Sequence, residues 1–211
     1  MADINIGKIT KKFTTPIGTA VYPRLSTPDV KFKKEGEYSV KLRLEGDDAS
    51  SFRATVDAFH EDAYRKALEN CGKAKLKKAA HYPIRPVEDE DGNEIPGQCF
   101  LIAKMKASGV SREGRPWTQK PIVVDAKKNP VGEMVGGGSR LRVAGMIRAY
   151  YNASLGFGLK FDLKAVQVLE LHALGDFTDE FEEEEDGFEA SAPAANTTEG
   201  DSGDGEDGED F

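Results

Sequence analysis

A mainly β chain, folded as a small five-stranded Greek-key barrel with one inserted amphipathic helix, is the architecture this sequence predicts, and three observations predict it. The first is residues 136–171, which read as a long hairpin: from Ser139 to Tyr151 the apolar Leu141, Val143, Gly145, Ile147, Ala149 and Tyr151 alternate with Arg140, Arg142, Ala144, Met146, Arg148 and Tyr150. Successive side chains of a strand point to opposite faces, so one face is a core face and the other carries three arginines and an aromatic ring. The second is a set of shorter alternating segments upstream, interrupted once by a segment of helical period. The third is segregated charge: all 29 Lys and Arg lie between Lys8 and Lys164, against 21 Asp and Glu in residues 1–175, so that part is +8 although the whole chain is −8. Residues 176–211 carry 16 acids and no base. A basic body of about 175 residues with an acidic tail is the asymmetry of proteins that work on nucleic acid.

Taken in order, residues 1–12 are polar, with Lys8, Lys11 and Lys12 close together. Phe13 to Tyr22 has strand character broken by Pro16 and Gly18, and residues 23–36 read as a loop that sets Phe32 among Lys31, Lys33 and Lys34. Glu37 to Glu45 is a strand with Tyr38, Val40, Leu42 and Leu44 inward and Lys41 and Arg43 outward. Phe52, Val56, Phe59, Ala63 and Ala67 then repeat at helical spacing, predicting a helix over 49–70 capped by Asp47 or Asp48, stopped by Gly72 and packed on a sheet. His60 beside that stripe has no ligand-like partner in the sequence and reads as a surface or satisfied histidine.

The basic run KAKLKK at 73–78 leads into a loop with Tyr82, Pro83 and Pro86. EDEDGNE at 88–94 fails as a calcium loop, because Glu94 stands where glycine is needed and Phe100 where glutamate is needed, so it reads as an Asp-Gly turn. Gln98 to Ala107 is a strand with Cys99, Leu101, Ala103 and Met105 on one face and Phe100, Ile102, Lys104 and Lys106 on the other. Residues 108–119 form a polar loop with Arg112, Arg115 and Trp117, the last either an exposed stacking platform or an indole folded back to plug the barrel. Ile122 to Asp125 is a short strand before a turn at Lys127-Lys128, and Gly136-Gly137-Gly138-Ser139 leads into a strand, which suits close backbone packing and not a phosphate loop. In the last strand Leu159, Phe161, Leu163 and Ala165 share a face, and the alternation slips at Ala165-Val166, as at a bulge or barrel corner.

Cys71 and Cys99 show no metal-ligand spacing and read as two reduced thiols. No apolar run approaches membrane-spanning length and no leader is evident, so the expectation is a cytoplasmic protein without membrane contact. No catalytic motif or metal site is read, and no cofactor is expected. From Asp176 the tail is too polar and charged to offset the entropy of ordering and should be disordered, yet Phe177, Phe181, Phe188 and Phe211 punctuate it.

Cations that track phosphates beside rings that stack on unpaired bases are what single-stranded nucleic acid requires. The outward candidates are Lys41, Arg43, Phe100, Lys104, Lys106, Arg140, Arg142, Arg148, Tyr150 and Lys160, with Arg112 and Trp117 from the loop and Phe32 as a further ring. Two other classes compete: a magnesium-dependent nuclease using Asp125 and Glu133, and an adaptor that works through its tail alone.

With these residues in hand, the chain resembles the replication single-stranded DNA-binding proteins of tailed bacteriophages, OB-fold proteins that end in an acidic tail with a terminal Phe. The stretches that carry the likeness are GEYSVKLRLE (36–45), FHEDAY (59–64), IVVDAKKNPVGEMVGGGSRLRV (122–143), YYNASLGFGLKFDLKAVQVLEL (150–171) and EDF (209–211). Residues 73–98 and the surroundings of Trp117 fall outside it. The resemblance implies sequence-tolerant binding of single-stranded DNA in replication, recombination and repair, and assistance to annealing. It also implies a tail that competes with DNA and recruits replication proteins such as DNA polymerase and helicase-primase through Asp210 and Phe211, and a homodimer is compatible with it.

Overall fold

The computed structural model describes residues 4–79 and 84–172. The expected tail at 176–211, with Asp210 and Phe211, and the loop residue Tyr82 lie outside the described residues. The elements in order are β1 (Thr10–Thr14), β2 (Gly18–Asp29), β3 (Glu37–Glu45), α1 (Gly46–Cys71), β4 (Ile84–Glu88), β5 (Glu94–Lys106), β6 (Ser108–Val110), β7 (Pro116–Thr118), β8 (Ile122–Val124), β9 (Arg140–Asn152) and β10 (Gly156–Glu170).

Five strands close on themselves. β2 pairs antiparallel with β3, β3 antiparallel with β5, β5 parallel with β10, β10 antiparallel with β9, and β9 returns to β2 through Gly18↔Leu141 and Thr19↔Arg140. That circuit, with one parallel pair, is the five-stranded Greek-key barrel of the OB type. Strands β1, β4 and β8 extend it by pairing with β9, β5 and β10, and β6–β7 form a separate two-stranded hairpin.

The core is the alternation read inward. Val40, Leu42, Leu44, Leu101, Ala103, Leu141, Val143, Phe157 and Leu163 are wholly enclosed. The helix lays Ala49, Val56, Phe59, Ala63 and Ala67 on the barrel, and Phe52 stacks 6.4 Å from Phe161, which also meets the edge of Phe13 at 4.8 Å. His60 packs its ring against Phe157 with Nδ1 3.4 Å from Glu61, so it is a satisfied histidine. Tyr64 donates its hydroxyl to the Leu76 carbonyl and accepts the Leu76 N–H, which fixes the basic run after the helix.

Several boundaries differ from the expectation, each for a local reason. The bent strand at 13–22 is two strands, separated where Thr15 turns inward and its Oγ1 accepts the Val143 N–H at 3.0 Å. β2 then continues through the predicted loop to Asp29, because register shifts after Val21 and after Arg24 absorb its prolines. The helix begins at Gly46, with Glu45 as its cap residue and no side-chain cap bond; Asp47 and Asp48 lie in the first turn, where their charge complements the helix dipole. Gly72 ends it in the left-handed region as read, with φ 63. The Asp-Gly turn sits in a β4–β5 hairpin, so β5 starts at Glu94 instead of Gln98; Asp89 holds the turn by accepting the N–H groups of Asp91 and Asn93.

Two readings of the long ribbon hold, with one correction: the slip comes before Ala165, which pairs with Ala144 on the outer face and does not share the inner face of Leu163. The pairing slips between Leu163 and Ala165, leaving Lys164 as the extra residue, and Gly145 stands there because a Cβ would lie 2.0 Å from the Asp162 carbonyl oxygen. The glycine run packs backbone on backbone: Gly138 donates to the Ala20 carbonyl, Gly136 to His172, and buried Ser139 exchanges two hydrogen bonds with His172. Cys71 and Cys99 are both free, and burial pushes the Cys99 thiol pKa up. No helix among the described residues is long and apolar enough to cross a membrane.

Candidate nucleic-acid interface

Strand register decides which outward side chains meet. Arg43 lies beside Phe100, and Phe100 beside Arg85; Lys41 lies beside Ile102. Ser39 lies beside Lys104, Lys104 beside Asp162, and Asp162 beside Met146. On the ribbon, Arg148 faces Lys160 and Tyr150 faces Gly158. Neighbouring strands are about 4.8 Å apart, so these rows form one continuous outer face. Across it runs a groove of about 400 Å³ lined by Lys33, Arg85, Lys104, Lys106 and Lys160, with Tyr150 and Ile102 among them and two carboxylates, Glu37 and Asp162.

The carboxylates hold the cations in place. Glu37 takes Lys104 at 2.6 Å and also Lys33, while Asp162 takes Arg148 at 2.6 Å and lies 3.7 Å from Lys160. Burial alone would raise the Glu37 pKa, but hydrogen bonds and charge from Lys104 and Lys33 outweigh it and hold the carboxyl below its ordinary value. These lysines and Arg148 are half exposed, so they remain open to a phosphate on their outer side.

Tyr150 is seated on the strand opposite. A Cβ at Gly158 would lie 2.7 Å from the phenolic oxygen and 2.8 Å from Cζ, so the ring covers that glycine along the sheet surface. The groove therefore brings together four of the predicted residues, Lys104, Lys106, Tyr150 and Lys160, and Arg148 reaches its edge through Asp162.

The other candidates lie elsewhere. Phe100 is capped by Lys41, whose Nζ stands 3.8 Å over the ring, and Arg43 is tied to Gln98 and Glu45. Arg140 and Arg142 lie past the Lys164 bulge, opposite Glu170 and Gln167, and Arg140 pairs loosely with Glu170 at 3.8 Å. Arg112 is exposed in the turn between β6 and β7. Trp117 is no barrel plug: it sits on β7 opposite Gly109, its ring so close over that glycine that a Cβ would lie 2.5 Å away. Phe32 is 85% exposed at the β2–β3 loop, with Lys31 over it at 5.5 Å.

Among the polar groove residues, Lys33, Arg85, Glu37 and Asp162 were not picked out as site residues, nor was Gly158 beneath Tyr150. Arg85 was hidden by its flanking prolines, though an Asp-Gly turn between IRPV and EIPG is a hairpin signal that would have placed it on a strand. The carboxylates carry no such signal, since an acid on a basic strand face looks like ordinary surface.

Asp125, one of the rival metal-binding carboxylates, holds its own turn. It accepts the N–H groups of Lys127 and Asn129 and the Asn129 side-chain amide, and these hydrogen bonds lower its pKa. No cluster of three or more His, Cys, Asp or Glu that could hold a metal occurs among the described residues.

Among solved structures the chain is similar to gp2.5, a single-stranded DNA-binding protein encoded by bacteriophage T7, at 27% identity and a TM-score of 0.64 over 86% of this chain and 100% of that one. It is also similar to the single-stranded DNA-binding protein of bacteriophage Enc34 in complex with single-stranded DNA, at 16% identity and a TM-score of 0.56 over 78% of this chain and 89% of that one. The Enc34 protein without DNA matches at 16% identity and a TM-score of 0.53, over 81% and 90% of the two chains. At that identity the Enc34 likeness is one of fold. No protein-family model and no curated protein matches the sequence. The likeness drawn from the sequence thus holds in three dimensions: the chain is similar in fold to phage single-stranded DNA-binding proteins and, at 27% identity, in sequence to gp2.5.

Proposed function

We propose that this chain binds single-stranded DNA without regard to sequence, as a non-enzymatic protein of phage DNA replication, recombination and repair. The observation that carries the reading is the groove, in which five Lys and Arg side chains surround a tyrosine laid on the surface of an OB-type barrel. The likeness to gp2.5 supports it.

Each part has its task. Lys33, Arg85, Lys104, Lys106 and Lys160 follow the phosphates, while Tyr150 offers a face to an unpaired base. Glu37 and Asp162 keep the long cationic side chains extended over the groove, and at low salt they also compete with phosphate for them. The tail from Asp176 occupies the basic face when DNA is absent and, through Asp210 and Phe211, recruits replication proteins once DNA displaces it.

A titration of fluorescent single-stranded and duplex DNA with the full chain and with residues 1–175 tests this. The expected result is preference for the single strand, tighter binding without the tail, and a salt slope of about −3.5 if all five cations meet a phosphate at about −0.7 each. Equal binding to both DNA forms would reduce the groove to a non-specific basic patch. Equal affinity with and without the tail would remove the competitor.

A further inference from the structure

Outside the groove, the backbone is most unusual at Tyr22. Its φ is +49, and the other non-glycine residue with a positive φ among the described residues, Lys128, sits in the tight turn held by Asp125. A bulky aromatic residue in the left-handed region is strained, and such strain persists where the surroundings or a function demand it. Burial of the ring does not offset it, because Tyr22 is 86% exposed.

The cause is a bulge. β2 pairs with β3 at Val21↔Lys41 and next at Arg24↔Ser39, three residues advancing against two, and the extra length turns Tyr22 out of the ladder. The ring thereby flanks a groove of about 270 Å³ shared with Arg24, Leu25, Thr27, Met134 and Gly137, a lining with one cation and no carboxylate. Met134 is 54% exposed there, giving the ring an apolar neighbour open to solvent. The place is continuous with the main groove: Arg24 lies beside Ser39, and Ser39 beside Lys104, two strand spacings or about 10 Å away.

We propose that Tyr22 is a second stacking platform for an unpaired base, with Arg24 on the adjoining phosphate, so that a bound strand leaves Tyr150, crosses β5 and β3, and ends over β2. The inference rests on the reading of the chain as a single-stranded DNA-binding protein. A face, a cation and apolar support are the elements that sequence-tolerant stacking uses, and the bulge supplies them at the cost of a strained residue.

The test uses the full chain and two fluorescent oligonucleotides, one of about 30 nucleotides and one of about five, near the lower end of the span of a single OB fold. Tyr22→Ala should weaken the long strand by about five- to 150-fold, the range that loss of one stacked base implies, and leave the short strand unchanged; Tyr150→Ala should weaken both. Tyr22→Phe should bind as the wild type does. Tyr22→Gly separates function from fold, because glycine suits the positive φ: its Tm should hold or rise while its affinity for the long strand falls as in Tyr22→Ala. Unchanged affinity in Tyr22→Gly would overturn the inference, as would a fall of Tm and affinity together, which would mark the ring as structural. A wild-type chain that binds neither oligonucleotide would overturn the functional reading as well.

Discussion

Two aromatic rings named from the sequence lie over a glycine on the paired strand, Tyr150 over Gly158 and Trp117 over Gly109, but the strands beneath them are built differently. The β9–β10 ribbon buries Ile147, Phe161 and Leu163 on its inner side and is flanked by β1, β5 and β8. The β6–β7 hairpin has three residue pairs and no buried residue, and it is moored at its base, where Ser108 donates to the Glu35 carbonyl and Gln119 to Lys106. A two-stranded hairpin is marginal on its own. On the proposed reading a stacking ring is worth what its support makes it worth: Tyr150 would be held in place before DNA arrives, whereas ordering the hairpin would offset part of what Trp117 gains.

The largest expected effect lies under the ribbon. Phe161→Ala should lower stability by about 3–5 kcal/mol in denaturant unfolding, since it empties the meeting point of Phe13, Phe52 and the barrel wall. Trp117→Ala should leave the unfolding midpoint where it is. If both changes destabilised alike, the hairpin would be part of the core and the contrast would fail.

Next comes the ring itself. Tyr150→Ala should weaken single-stranded DNA binding by about 1–3 kcal/mol at fixed salt with little change in Tm. Gly158→Ala should approach that loss by lifting the ring from its seat, and it should add almost nothing in the Tyr150→Ala background. Additive losses would mean that Gly158 acts on the strand and not through the tyrosine. Trp117→Ala should cost less, about 1 kcal/mol or below, because part of its stacking energy goes into ordering the hairpin. A loss as large as that of Tyr150→Ala would show that the hairpin's mooring is support enough.

The same contrast explains what could be read in advance. Alternation fixes which side chains point inward, so the inner faces of β3, β5 and β9, and that of β10 as far as Leu163, were legible residue by residue; the bulge was legible only to within a residue or two, and Ala165 falls on the outer face instead of the inner. Helical spacing likewise gave the face of α1. What alternation cannot supply is register between strands distant in sequence. Arg140, Arg142 and Arg148 belong to one outward row of β9, yet the bulge places the first two away from the groove that Arg148 adjoins. Arg85 and Lys33 join the groove from a proline-flanked strand and a loop. Gly158 lies inside the last strand, and only the register of its partner shows that Tyr150 sits over it.

The smallest effect concerns the acids beside the rings. In the hairpin, Glu113 and Arg115 form a pair open to solvent on both sides, which salt screens and which adds little to stability. Glu37 is 17% exposed and shared by Lys33 and Lys104. Because its folded pKa is lowered, its contribution is fully present above the ordinary glutamate pKa and is lost as pH falls through the folded value. Acidification from neutral pH through that window should therefore erode stability by up to about 1 kcal/mol more in the wild type than in Glu37→Gln. At neutral pH Glu37→Gln removes a carboxylate that competes with phosphate for two lysines, so affinity at low salt should tighten by about two- to fivefold, and the matching change Glu113→Gln should leave it unchanged. Weaker binding in Glu37→Gln would mean that holding the lysines extended matters more than competing for them, and that the groove, unlike the hairpin, depends on its acids for its shape.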